Sequence, residues 1–303
     1  MSETSRQILA PGAGERASDD PARGIAIMAM GVAVFAVTDG LVKHAATEFE
    51  PLQVVWCRYA FHTLFLVPAI VARWSRRRLM VARPDLHVAR GVLICLSTML
   101  GTFGISVLPL ADLTAIGFSG PLVATLLAIP FLGERVGIRR WSAVIIGFVG
   151  VLIVVRPGTT AFNPAALFVV AGASLWGCGF VLTRKIGTTD GAPTMLIWTS
   201  IVGLVLSSIV VVPFWRWPNA MEWGLLAAMA ALNLLSQFMI IWAVAYAPAS
   251  TIAPMTYLQL VWATIVGYFA FGNLPDRWAI LGALVIVGSG LYVWHRERVR
   301  RGM

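Results

Sequence analysis

Ten apolar runs succeed one another from Gly24 almost to the end of the chain. Their approximate limits are 24–43, 52–72, 86–106, 111–132, 138–155, 164–184, 192–213, 221–244, 249–272 and 277–294. A run of about 20 apolar residues is what a helix needs to cross a bilayer. Backbone in lipid must also satisfy its own hydrogen bonds, so each run predicts a transmembrane helix. The connections are brief, which makes consecutive helices antiparallel neighbours, and no stretch is long or polar enough for a separate soluble domain. The predicted fold is therefore all-α, a polytopic membrane protein of ten helices. Of the 303 residues, 58% are hydrophobic and 12% charged, too little polar surface for a soluble domain of this size.

The net charge of +9 would suggest a nucleic-acid partner in a soluble protein. Here Lys and Arg gather in short loops, which is what membrane orientation requires, and no nucleic acid is expected. With the N-terminus inside, 17 basic residues fall on the inner side, among them Arg73, Arg76, Arg77, Arg78, Arg135, Arg139, Arg140, Arg184 and Lys185; four (Lys43, Arg156, Arg216 and Arg277) fall outside. This places both termini in the cytoplasm of a multi-pass inner-membrane protein. Residues 1–22 have no apolar period and are expected to be a disordered cytoplasmic tail, not a signal peptide. Cys57, Cys95 and Cys178 are odd in number and lie inside apolar runs, as small packing residues do.

The stretch from Leu108 to Gly158 is echoed from Ala247 to His295. Pro109 lies over Pro248 and Gly133 over Gly272, and both copies carry an Arg-Trp pair (Arg140-Trp141, Arg277-Trp278) before a glycine-rich helix. The first helices of the halves echo too, Phe35 over Trp176 and Lys43 over Arg184. Five helices per half is an odd number, so the second repeat enters the membrane upside down relative to the first. The boundaries expected are 23–158 and 159–297, with a tail at 298–303. Inverted repeats enclose a site near the midplane and give two near-equivalent shapes, one open to each side.

These residues carry a family likeness. Pro109-Leu-Ala-Asp-Leu-Thr-Ala-Ile, Gly-Glu-Arg-Val at 133–136, Gly-Phe-Val-Gly-Val-Leu at 147–152 and Val-Val-Trp-Cys-Arg-Tyr around Arg58 resemble the ten-helix branch of the drug/metabolite transporter superfamily, the EamA-type carriers. The second half is more degenerate, with Gly272-Asn-Leu-Pro where Gly-Glu is usual. The resemblance implies a carrier of small organic metabolites in the cytoplasmic membrane, working by alternating access. It implies no particular substrate.

A charge at bilayer depth costs about 2.5–3.5 kcal/mol on insertion scales, so it faces the bundle interior or water, with a partner. Asp39 and Arg58 are placed at similar depth on neighbouring helices, with His62 four residues beyond Arg58 on the same face. One reading makes Arg58 the anchor for a substrate carboxylate or phosphate, with Asp39 or His62 coupling transport to protons. The other makes the pair a packing device, or pairs Asp39 with Lys43. Asp112 is a second proton-coupling candidate, although a carboxylate in a first helical turn also suits the helix dipole. Arg90, Arg184 and Lys185 sit at inner helix ends, where snorkelling suffices. Gln237, Tyr257 and Gln259 are polar candidates for ligand contact, and Trp176 for stacking on a planar solute. Gly117, Gly120 and Pro121 break the fourth helix and Pro254 its repeat partner, as gating or tolerated kinks. Gly147, Gly150, Gly282, Gly288 and Gly290 allow close packing within the chain or in a homodimer.

An integral-membrane enzyme and a channel are the rival classes. No metalloprotease, nucleophile-elbow or Cys-Cys motif occurs, His44, His62, His87 and His295 are scattered, and no filter motif is present. No metal and no cofactor are expected; the expected partners are a small-molecule substrate and the bilayer.

Overall fold

The computed structural model describes residues 20–73, 81, 83–132, 138–187, 190–247 and 249–301. The expected tail before residue 20 and the Gly133–Gly137 hinge lie outside these residues. Helices α1 (Pro21–Glu48), α2 (Pro51–Arg73) and α3 (Pro84–Val107) form the first three spans. The fourth is split into α4 (Leu110–Gly117) and α5 (Ser119–Leu132), and α6 (Ile138–Val155) closes the first half. The second half comprises α7 (Ala165–Ile186), α8 (Ala192–Val211) and α9 (Ala220–Tyr246), then a broken ninth span and α12 (Arg277–Arg301). The ninth span runs through α10 (Ala249–Ile252), a 3₁₀ turn at Ala253–Tyr257 and α11 (Leu258–Phe271). Among the described residues, six helical stretches are long and apolar enough to cross a membrane; Trp141–Val155 and Arg277–Tyr292 are shorter apolar helices.

Local chemistry sets the ends. Pro21 opens α1 behind Asp20, whose carboxylate accepts the Arg23 N–H at 3.1 Å. Asn219 and Glu222 form a reciprocal capping box on α9. Gly272 ends α11 at φ 66°, a left-handed conformation that lets Asn273 N–H reach back to Gly267 O at 3.1 Å.

Helices pair across the halves in mates. α1 packs along α9 as α7 packs along α3; α11 lies on α1 as α5 lies on α7; α2 meets α8 and α6 meets α12. Exchanging the halves leaves this pattern unchanged, the mark of a two-fold repeat, which five spans per half make an inverted one. The side chains agree. Gly31 meets Met239 and Ile240 of α9, while its repeat mate Gly172 meets Leu100 and Gly101 of α3. At the α6–α12 crossing, a β-carbon on Gly150 would fall 2.9 Å from Gly282 O, and one on Gly282 would fall 2.6 Å from Gly150 O. Without a hydrophobic force between helices in lipid, such close backbone approach supplies the association energy. α1 begins and α12 ends on one side of the bundle, the terminal face; the connections at 49–50, 108–109, 156–164 and 272–276 lie on the far face.

Candidate functional site

The two broken spans meet at the centre. Phe118, in the break between α4 and α5, lies 5.1 Å from the ring of Tyr257, which closes the 3₁₀ turn of the ninth span. The two are repeat mates, so the pseudo-two-fold axis passes between them. Gly117 ends α4 and Pro254 lies in the 3₁₀ turn, as expected of helix breakers. Gly120 and Pro121 instead sit inside α5 without interrupting it; Gly120 opens room for Ala173 and Trp176 of α7. Tyr257 faces this crossing, and a methyl group on Gly290 would overlap its hydroxyl.

Around this axis the first helix of each half turns one sector into the space between its two neighbours. On α7, Gly172 and Gly179 rest on α3 while Gly177 rests on α5. Trp176 and Phe180 fall between those directions, stacked on each other at 5.2 Å and 16°, yet 38% and 40% exposed. On α1, Gly31 rests on α9 and Gly40 on Val266 of α11, and Phe35 and Asp39 fall in the matching sector. Asp39 and Arg58 lie deep in the bundle and feel each other's charge, yet both keep some accessible surface. A β-carbon on Gly101, on the α3 face that carries Thr98, would meet nothing within 4 Å.

The structure thus brings Asp39 and Arg58 near each other, with Trp176 and Phe180 in the repeat-related sector of α7. No carboxylate oxygen lies within ion-pair distance of Arg58 among the described residues, and its buried Nε has no hydrogen-bond partner. His62 turns to α9 and shares a 3.1 Å hydrogen bond with Ala230 O. Gln237 donates to Asn233 Oδ1 at 3.2 Å on its own helix. Gln259 lies on the α11 face that carries Ala263 and Val266 towards α1. Asp112 is elsewhere. It sits at the far face in a recess of about 160 Å³ beside Arg156, which bonds Asp276 at 2.6 Å. Burial pushes the Asp276 carboxyl up, but the Ala279 N–H and Arg156 together hold it below the usual range.

Two basic residues depart from expectation. Lys43 does not pair with Asp39: its Nζ donates to Ile105 O at 3.0 Å and Leu108 O at 2.7 Å, satisfying the open carbonyls at the end of α3. Arg90 does not snorkel. It points into the bundle, where Nε donates to Thr183 Oγ1 at 2.6 Å and Nη1 to Met195 O at 3.2 Å and to Thr199 Oγ1. Beside it, His87 Nε2 meets Asp190 Oδ2 at 3.0 Å. The sequence reading missed this cluster because its threonines lie on other helices. At the far face, by contrast, Val42, Phe49, Cys57, Ile105, Leu226 and Met229 pack into one apolar cluster, each no more than 4% exposed.

A ten-helix bundle of two inverted halves with sparse buried charges has the architecture of a carrier. The family model of EamA-like transporters matches residues 22–156 and again 163–294. The chain belongs to the EamA-like transporter family. It is a secondary transporter of small metabolites and not an enzyme. It is 30% identical over 275 residues to the S-adenosylmethionine uptake transporter of Rickettsia bellii, covering 91% of this chain and 94% of that one. It is 26% identical to the riboflavin transporter of Vibrio cholerae, over 93% and 96% of the two chains. A pseudopaline exporter of Pseudomonas aeruginosa is 23% identical over 87% of this chain and 93% of its own. One solved structure, described only as a crystal structure of a protein, superposes with a TM-score of 0.62 at 16% identity, over 90% of this EamA-like chain and 96% of its own, and shares the fold.

Proposed function

We propose that this EamA-like transporter carries a zwitterionic metabolite with a planar ring, S-adenosylmethionine being the first candidate, by alternating access. One observation carries the reading. In equivalent sectors of the repeat, the first half offers Asp39, with Arg58 beside it, and the second offers Trp176 and Phe180. A charged wall therefore faces an aromatic one. A carboxylate fits the unpartnered Arg58 Nε as a charge-assisted hydrogen bond, and a flat purine extends the Trp176–Phe180 stack. S-adenosylmethionine has both parts, and so the likeness to S-adenosylmethionine uptake transporters supports it over riboflavin. Both termini lie in the cytoplasm, where the basic loops direct them. The halves, 23–158 and 159–297, rock about the Phe118–Tyr257 crossing, and Asp39 takes up and releases the coupled proton.

Uptake of labelled S-adenosylmethionine into proteoliposomes tests this. Saturable uptake, lowered about 100-fold in kcat/KM by Arg58→Ala, is the expected result for loss of a charged hydrogen bond. Undiminished uptake by a folded, inserted Arg58→Ala variant would remove the anchor. Saturable uptake of riboflavin alone would replace the substrate.

A further inference from the structure

The far-face apolar cluster and the Arg90 cluster are repeat mates. The register that sets Phe35 over Trp176 sets Val42 over Thr183 and Phe49 over Asp190. Leu108 and Ala247 cap α3 and α9, and that register sets His87 over Leu226 and Arg90 over Met229. Cys57 stands over Thr199. Six oil-like positions at one mouth thus have five polar counterparts at the other, and the sixth pair is Ile105 over Val244. Packing does not demand polarity at these positions, because repeat-related helices build the far mouth with apolar side chains at their mates. Arg90 has only neutral acceptors: two threonine hydroxyls and a carbonyl, all on Nε and Nη1. Among the described residues no carboxylate lies within ion-pair distance of it. One turn away, the buried His87 Nδ1 has no hydrogen-bond partner. A guanidinium held this way is oriented, and its charge is not neutralised, which is the condition in which an anion binds best.

We propose that Arg90 is an anion site at the terminal mouth, which takes the carboxylate of the transported solute on its way between the central cavity and that side. The proposal rests on the reading of the chain as a carrier of a carboxylate-bearing solute. Arg58 then holds the carboxylate in the cavity and Arg90 holds it at the mouth. Threonine hydroxyls fix the guanidinium plane, leaving Nη2 for the ligand, and Arg-specific planar geometry suits a carboxylate.

The test uses reconstituted full-length protein, S-adenosylmethionine and its decarboxylated analogue. Phenylglyoxal, an arginine reagent, is applied from the terminal side and its adduct on the Arg90 peptide is quantified by mass spectrometry. S-adenosylmethionine should protect Arg90 and the decarboxylated compound should not. Arg90→Met should raise KM about ten- to a hundredfold from the terminal side and leave KM from the far side unchanged. Arg90→Lys, which keeps the charge, should recover part of the preference for the carboxylate. Equal protection by both compounds, or an equal rise in KM from both sides, overturns the anion site while the transport reading stands. If the wild type does not transport S-adenosylmethionine, the substrate reading falls. The site is then judged with acetate and succinate against chloride at equal ionic strength: selective protection of Arg90 by the carboxylates supports it, and equal modification overturns it.

Discussion

The far mouth and the terminal mouth are built from repeat-related helices and are sealed by opposite chemistry. At the far mouth, Val42, Phe49, Cys57, Leu226 and Met229 form an apolar seal, and the buried Lys43 ammonium bonds the carbonyls that end α3. Gln53 ties that mouth with a neutral two-way bond to the Arg216 backbone, at 2.5 and 3.0 Å. At the terminal mouth, His87–Asp190 and Arg90 with its threonines hold the helices through groups that water can replace. The third-helix mates differ in burial: Ile105 is 3% exposed and Val244 is 52% exposed. A two-state carrier needs both seals to break, but the repeat does not oblige them to break at equal cost. An apolar seal loses its contacts outright when opened, whereas a polar one exchanges protein partners for water at small net cost. The terminal mouth is the readier to hydrate.

The harshest way to break this contrast is to put the terminal chemistry into the far seal. Met229→Arg buries a guanidinium where no acceptor waits, and it should destabilise the protein by about 3–5 kcal/mol. A lower unfolding midpoint in detergent, with little folded protein recovered, is the measurement. The converse exchange is gentler. His87→Leu, Arg90→Met, Thr183→Val, Asp190→Phe and Thr199→Cys together give the terminal mouth the residues of the far one, and buried polar clusters replaced whole by apolar residues often gain about 1–4 kcal/mol. The combined variant should unfold at a higher temperature and transport more slowly, a combination that simple damage to the fold does not produce.

Smaller effects sharpen the picture. Gly290→Ala should push the Tyr257 ring off the Phe118 crossing, lowering transport about tenfold at a stability cost of about 1–3 kcal/mol from overpacking. Gln53→Ala removes the neutral tie alone and should cost about 1–2 kcal/mol, read as a modest drop in midpoint.

The sequence showed the ten spans, their antiparallel order and the inversion, because each rests on run length, short loops and an odd helix count. The breaks at Gly117 and Pro254 were legible for the same local reason. What it could not show was where long side chains turn. Arg90 lies two turns from a helix end, where snorkelling and inward bonding look alike in one dimension. The difference is made by Thr183 and Thr199, on helices about a hundred residues away. Lys43 was ambiguous likewise: its partners are backbone carbonyls at the end of α3, which carry no sequence signal. The Asp39–Arg58 neighbourhood was read from depth alone, and the two groups feel each other's charge in the structure.

Sided thiol labelling tests the unequal mouths most directly. In a background with Cys57, Cys95 and Cys178 replaced by Ala, single Val244→Cys and Ile105→Cys variants are treated with a membrane-impermeant maleimide, applied to one side at a time and without substrate. Val244→Cys should react rapidly from the terminal side, and Ile105→Cys should stay unmodified from the far side. Equal rates at the two positions, or faster modification of Ile105→Cys, would contradict the account.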